Sequence, residues 1–377
     1  MKRLLTISLL HLCFIQLVTA QITFVIESVP AKTPIKDTLF MSSSLNGWHP
    51  CDKSYAFKPN GNGKYSLSVT VSVDTFEYKI VRGGWRNAEV DSTGQSLKNR
   101  FYSSTYGDRI CLKIDGWRDL LPKQKSTAAK GVSFIPTNIE IPQLNRKRTI
   151  RMYFPPNYST GNRFPVIYMH DGQNLFDEST SISGEWQVDE ILDSLYKYNR
   201  FSCIVVGIYN GEKQLFNEFS PWRNDSLGMG GDGDKYAAFI VKTLKPFIDS
   251  HYRTLPDREN TVIMGSSMGG LTSLYMALEY PDVFSKAGIF SPSLWFSPKI
   301  FEKIQSYKQK KFQRLYIISG AKEGVKAVCN TLKADSLLQS IGFDQNYLQC
   351  KISEDKQRNE SLWSHEFGDA IKYLFNL

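Results

Sequence analysis

The stretch from Thr261 to Gly270, TVIMGSSMGG, constrains this chain more than any other. An apolar, β-prone run breaks on serines set between glycines. A second apolar segment, GGLTSLYMALEY, then follows at helical spacing and stops at Pro281. Such a pattern reads as a buried strand, a sharp turn and a helix. The neighbouring segments repeat the theme. PVIYMHDG, CIVVGIYN, SKAGIFSP, RLYIISG and YLQCKIS read as strands. WQVDEILDSL sets Val188, Ile191, Leu192 and Leu195 at helical spacing, and KYAAFIVKTLKPFIDSHY does the same with Tyr236, Ile240, Leu244 and Phe247. AVCNTLKADSLLQSIG and SLWSHEFGDAIKYLFNL complete the helices. Alternation of this kind predicts an α/β domain over residues 132–377, with a mostly parallel sheet covered on both faces. SFIPTNIEIP and TIRMYFPPNY open it as a hairpin. In such sheets ligands sit at the carboxyl ends of the strands.

The upstream chain has a different texture. Residues 1–20 combine a charged start, an apolar run and a small residue at the end, the pattern of a secretory signal peptide. An exported protein, periplasmic or secreted, is the expectation. That run is short for a membrane span, and no other segment is apolar enough for insertion. Residues 21–118 hold short strand-like runs separated by turns such as Asn60-Gly61-Asn62-Gly63, which predicts a small all-β, immunoglobulin-like antiparallel sandwich. Residues 119–131, DLLPKQKSTAAKG, read as a linker.

Charge and cysteine usage exclude some partners. The formal charge of +9 falls to +7 once Lys2 and Arg3 are removed with the leader, and the basic residues are scattered. Nucleic-acid binding needs a concentrated stripe, so it is not expected. Five cysteines remain after the leader, an odd number; export permits Cys51–Cys111 and Cys329–Cys350 bridges. No pair has zinc-site spacing, and neither metal nor organic cofactor is implied.

Gly265-Ser266-Ser267-Met268-Gly269 fits G-x-S-x-G between a strand and a helix. A turn that sharp crowds its flanks, which explains glycines two residues either side of Ser267. The serine is thereby raised over the sheet at a helix amino end, where N–H groups favour a developing negative charge. Ser267 is the candidate nucleophile. After PVIYM comes His170-Asp171-Gly172-Gln173, where the glycine lets amides turn inward. Gly172 and Gln173, with the N–H of Met268, are the candidate oxyanion hole. Asn217 to Trp222 and the glycine-rich GMGGDGD of residues 228–234 are expected to form a loop over this site. Trp222 is a candidate substrate contact.

With YMHDGQNLFD, the GSSMGG elbow and the C-terminal NESLW, residues 135–377 resemble the putative-esterase group of α/β hydrolases. That group includes feruloyl, acetyl xylan and siderophore trilactone esterases. The resemblance implies the α/β-hydrolase fold and ester hydrolysis through an acyl-serine. It implies that Glu323, in Gly320-Ala321-Lys322-Glu323, is the acid of the triad. It also implies a histidine directly before Asn359-Glu360, where this chain has Arg358. A guanidinium stays protonated and has no lone pair to accept the serine proton. Three alternatives follow. His365 becomes the base if the last helix starts late; His170 substitutes; or proton transfer is lost and Arg358 holds an anionic substrate group.

SSSLNGWHP and FEYKIVRGGW resemble the glycogen- and starch-binding sandwich modules. The resemblance implies that Trp48 and Trp85 stack on sugar rings with Lys79 between them, and that Asn99 is a weaker fourth contact. Together these expectations describe an exported serine esterase acting on acyl esters of polysaccharides or oligosaccharides. The alternatives are an inactive, carbohydrate-binding homologue and a siderophore trilactone esterase.

Overall fold

The computed structural model describes residues 19–121, 125–182, 184–308 and 312–377. The expected leader lies, through residue 18, outside the described residues. The chain divides into two compact units, one holding the chain to Gly83 with Asn87–Leu120, the other Gly84–Arg86 with Leu121–Leu377.

In the first unit, short alternating strands bury one side chain in two. Tyr65–Val71 shows this most clearly, with Leu67, Val69 and Val71 turned inward. Ala20–Ser28, Tyr65–Val71, Lys58–Pro59 and Arg109–Lys113 form one sheet, and Phe40–Ser43, Thr75–Val81 and Arg100–Ser103 a second. Phe24 and Leu67 of the first sheet share a core with Met41, Tyr78, Ile80 and Tyr102 of the second. The expected all-antiparallel arrangement needs one correction. Ala20–Ser28 pairs in parallel with Arg109–Lys113. Nearly the whole unit separates those two strands in sequence, which supplies the long connection a parallel pair requires.

The second unit carries an eight-stranded sheet. Its strands are β1 (Val132–Phe134), β2 (Ile150–Tyr153), β3 (Val166–His170), β4 (Ile204–Ile208), β5 (Thr261–Ser266), β6 (Lys286–Phe290), β7 (Arg314–Gly320) and β8 (Leu348–Ser353). The order is β1-β2-β4-β3-β5-β6-β7-β8, with β2 antiparallel to its neighbours and all strands from β4 to β8 parallel. Alternate residues of β3 enter different cores. Val166 and Tyr168 pack on one face, Ile167 and Met169 on the other. The near-continuous apolar runs in the sequence thus reflect a sheet buried on both faces.

Besides the single turn Leu215–Glu218, the helices are α1 (Val188–Asn199), α2 (Gly233–Phe239), α3 (Met268–Glu279), α4 (Lys299–Ser306), α5 (Val325–Ser340) and α6 (Glu360–Phe375). Helix α2 continues through a π-helical turn, Ile240–Leu244, into Lys245–His251. The widened turn sits just before Pro246, whose ring would crowd the carbonyl one turn back in a regular helix. Helix α4 has no counterpart in the pattern read from sequence, yet Ile300, Phe301 and Ile304 are buried. The opening hairpin also differs: Ile139–Ile141 and Arg146–Arg148 pair with each other, while β1 pairs with β2. Part of the expected linker is held by the second unit. Ser126 donates to Asp177 and Ala129 N–H to Asp189. Residues 122–124 lie outside the described residues.

The sheet grows in opposite directions from β3, toward β4 on one side and β5 on the other. That reversal creates a crevice at the carboxyl ends of β3 and β5. His170–Gln173 and Ser267 follow those two strand ends.

Candidate active site

Strand β5 ends at Ser266 and α3 begins at Met268, so Ser267 alone makes the turn, with φ 60° and ψ −122°. A non-glycine residue there costs of order 1–3 kcal/mol and persists only when its surroundings enforce it. The enforcement is visible in two bonds. Ser267 N–H donates to Phe290 O (2.9 Å), and Ser293 N–H donates to Ser267 O (2.9 Å). The flanking glycines are sterically required. A Cβ on Gly265 would stand 2.9 Å from His170 Cδ2 and 3.0 Å from the Gly269 backbone, and one on Gly270 would stand 2.8 Å from Phe290 O.

Gly172 and Gln173 are buried in a short 3-10 turn after β3. A Cβ on Gly172 would stand 2.5 Å from the Gly207 backbone of β4, so only glycine lets this turn press against the sheet. Among the described residues, neither the Gln173 nor the Met268 N–H is taken up in the backbone hydrogen bonds of the turns and loops. Donors left available at a strand end and at a helix amino end are what an oxyanion requires.

The residue that meets Ser267 Oγ is Arg358. Its Nη2 donates to Ser267 Oγ and to Ser293 Oγ (2.7 Å). Glu323 stands at the end of β7, where its Oε1 accepts from Ser291 Oγ (2.6 Å) and from Gly320 N–H (2.5 Å). Trp363 Nε1–H donates to the same Ser291 hydroxyl (2.9 Å). Burial pushes the Glu323 carboxyl up, while the Arg358 cation and the bonds from Ser291 and Gly320 pull it down. The structure therefore gathers a Ser267–Arg358 pair with a hydrogen-bonded carboxylate in the same electrostatic field.

Sequence reasoning missed Ser291, Ser293 and Trp363 in this network. The signal was the SPSLW segment after β6, whose Ser291 adopts a positive φ of 42°. Such a backbone at a strand end marks a constrained turn.

Neither imidazole alternative is found at Ser267; among the described residues no imidazole nitrogen hydrogen-bonds its Oγ. A base at His365 required a late helix start. Instead Asn359 caps α6, its side chain accepting from Leu362 N–H, and the helix begins at Glu360. His365 then falls in the second turn and is exposed, while Leu362, Glu366 and Phe367 are buried. His170 is buried beneath the elbow, where Nδ1 meets Tyr236 Oη (3.0 Å) and the ring packs on Phe219. Burial drops its pKa to about 3, which makes it a feeble proton acceptor.

The loop expected over the site is strongly tied down. Glu218 is fully buried between Arg146 and Arg148 (2.7 and 2.6 Å). Thr272, one turn beyond Ser267, donates to Phe219 O. Asn217 Oδ1 accepts from Gly230 N–H, clasping the two halves of the loop. Trp222 is half-buried and meets Tyr275 edge-on at 5.6 Å, a packing contact on the flank of α3.

In the first unit Trp48 is half-buried at φ 63°, and Lys79 is buried with its ammonium donating to Leu97 O (2.7 Å). Asn99 donates to Glu77 (3.0 Å). Trp85 groups with the second unit, so the three proposed sugar contacts do not all belong to one unit. All five described cysteines are free thiols; Cys111 Sγ faces Glu27 Oε1 at 3.8 Å.

Comparison with known proteins agrees with this geometry. The family model described as putative esterase matches residues 141–354. The chain is similar to the uncharacterized protein YbbA of Bacillus subtilis, 26% identical over 241 residues, which is 60% of this chain and 92% of that protein. It is also similar to an endo-1,4-beta-xylanase/feruloyl esterase of Xylanibacter ruminicola, 24% identical over 61% of this chain, although the match spans 30% of that longer protein. Among solved structures, the enterobactin esterase FES of Shigella flexneri superposes with a TM-score of 0.57 at 14% identity, covering 95% of this chain and 93% of that one. The elbow at Ser267, the α/β sheet beneath it and a family match over more than half the sequence lead to one conclusion: this chain belongs to the putative esterase family.

Proposed function

We propose that the protein binds acyl esters of saccharides at the Ser267 elbow and hydrolyses them slowly, without an imidazole to take the serine proton. The observation that carries this reading is Arg358 Nη2 donating to Ser267 Oγ, at the place where a base would stand. Ser267 Oγ forms a bond to the ester carbonyl carbon, and the carbonyl electron pair moves onto oxygen, facing the N–H groups of Gly172, Gln173 and Met268. The serine proton passes to water. Collapse breaks the carbon–oxygen bond to the sugar, whose alkoxide takes a proton from water; a second water then adds to the acyl-serine carbonyl, releasing the carboxylic acid and returning a proton to Ser267 Oγ. Lack of a positioned base costs ~10²–10⁴-fold in rate. The oxyanion hole and substrate binding still leave catalysis above the background.

Arg358 supplies a fixed cation that holds the acyl group, most strongly one bearing a carboxylate. Saccharide esters are favoured by the similarity to the xylanase/feruloyl esterase and by Trp48 in the first unit. The leader-like residues 1–20 support a periplasmic or secreted location. A second reading, cleavage of a siderophore trilactone, is favoured by the likeness to enterobactin esterase over 95% of the chain.

Initial rates with p-nitrophenyl acetate and with acetylated and feruloylated xylo-oligosaccharides separate these readings. Wild-type protein is expected to exceed Ser267→Ala by at least tenfold, and Trp48→Ala to weaken action on the oligosaccharides alone. Equal, negligible rates in wild type and Ser267→Ala, with oligosaccharide affinity retained, replace hydrolysis by binding. Rapid trilactone cleavage indifferent to Trp48→Ala favours the siderophore reading.

A further inference from the structure

Three carboxylates converge where the polypeptide enters α1. Glu185, Asp189 and Glu190 each offer an oxygen, and these oxygens lie within 4.8 Å of one another. Two are consecutive residues in the first turn of α1, where one or two acidic side chains ordinarily complement the helix dipole. The dipole does not account for the rest. Asp189 is fully buried, and its Oδ1 has no hydrogen-bond partner among the described residues. Its other oxygen accepts from Ala129 N–H at 2.7 Å. Glu185 likewise uses one oxygen, accepting from Thr127 Oγ1 at 2.9 Å, and its buried Oε1 has no partner among the described residues. Among the described residues no lysine, arginine or histidine forms an ion pair with any of the three. Arg151 pairs with Asp177 instead.

Buried like charges this close repel, and an unpartnered buried carboxylate oxygen is costly to leave bare. We propose that Glu185, Asp189 and Glu190 bind a divalent cation of the hard, oxygen-seeking kind, calcium in the first instance. An all-oxygen donor set with several carboxylates suits Ca²⁺, and Mg²⁺ less well because it demands a tighter octahedron.

The position gives the cation a task. Trp186, next to Glu185, packs against Trp363 at 5.5 Å, and Trp363 holds the Ser291 hydroxyl that donates to Glu323. A Cβ on Gly184 would stand 3.4 Å from Glu360 Cβ, two residues past Arg358. A cation here clamps residues 184–190, and with them residues 127–129, against the start of α6, behind the active-site network.

The test uses the purified chain, stripped with EDTA and dialysed at pH 8. Thermal unfolding is followed as CaCl₂ or MgCl₂ is added to ~10 mM, and Tb³⁺ luminescence is excited through tryptophan. The expected results are a midpoint rise of several degrees with Ca²⁺, a smaller one with Mg²⁺, and Tb³⁺ emission displaced by Ca²⁺. All three should be lost in Glu190→Gln, whose exposed side chain keeps folding out of the question, and in Asp189→Asn. The proposal is overturned if wild type shows neither a midpoint rise nor displaceable Tb³⁺ emission. It is equally overturned if Glu190→Gln responds as wild type does.

Discussion

The proposed oxyanion side of the Ser267 elbow is built from backbone, and the side proposed for proton relay from side chains. On the first side, Gly172, Gly265 and Gly269 sit where a single Cβ would strike backbone or His170 at 3.0 Å or less. On the second side, side-chain hydrogen bonds join Ser291 to Glu323 and Trp363, and Arg358 to Ser267 and Ser293. The backbone side cannot change without disturbing the sheet. The side-chain side can lose its function by one substitution and leave the fold intact. In the reading proposed above Arg358 is that substitution, a side chain that donates to Ser267 Oγ where a base would accept.

If this contrast is right, perturbing the scaffold beneath the elbow shifts stability most. Unfolded, the His170 imidazole takes a proton near 6.5; folded, only near 3. Between those values the unfolded state holds more protons, so stability falls as acid is added, by roughly 4–5 kcal/mol over the full window. Asp171 acts in the opposite sense, because burial raises its carboxyl to about 6 and the folded state takes its proton first. Urea unfolding at pH 7.5 and 4.5 should show His170→Asn flattening the loss in acid and Asp171→Asn steepening it. Identical pH slopes in both variants would remove His170 from the scaffold.

Gly265→Ala comes next, with an expected destabilisation of about 1–3 kcal/mol from the crowding of His170 and Gly269. A neutral result would mean the elbow has slack. Ser291→Ala is milder. It deletes the hydrogen bond to Glu323 and the one from Trp363 Nε1, and a loss of about 1–2 kcal/mol is expected in chemical unfolding. The smallest effect belongs to His365→Ala, expected within ~0.5 kcal/mol of wild type because the side chain is exposed. Its ester hydrolysis should match wild type, and a large loss of rate would return His365 to the site.

The features legible in sequence were those set by periodicity and by glycine. Apolar runs such as PVIYM and TVIMG announced strands buried on both faces, and G-x-S-x-G between strand and helix announced the turn at Ser267. Helix α4 escaped because its apolar positions, Ile300, Phe301 and Ile304, fill barely two turns, too few for a period to register. The parallel pairing of Ala20–Ser28 with Arg109–Lys113 escaped because strand direction leaves no trace in alternation. In the site, Arg358 was legible as an anomaly of spacing, yet its partner Ser293 was not. Ser293 reaches it through a turn with Ser291 at positive φ, and a serine-proline segment looks the same in any loop. The His365 alternative failed on a local detail, the Asn359 cap that starts α6 early.

The most direct test is kcat/KM for p-nitrophenyl acetate in Arg358→His, alone and combined with Glu323→Gln. A scaffold lacking only its proton acceptor should gain ~10²–10⁴-fold in the single variant and lose most of that gain in the double. No gain in a folded Arg358→His protein, or a gain indifferent to Glu323→Gln, would contradict the claim that one guanidinium stands between this elbow and a working relay.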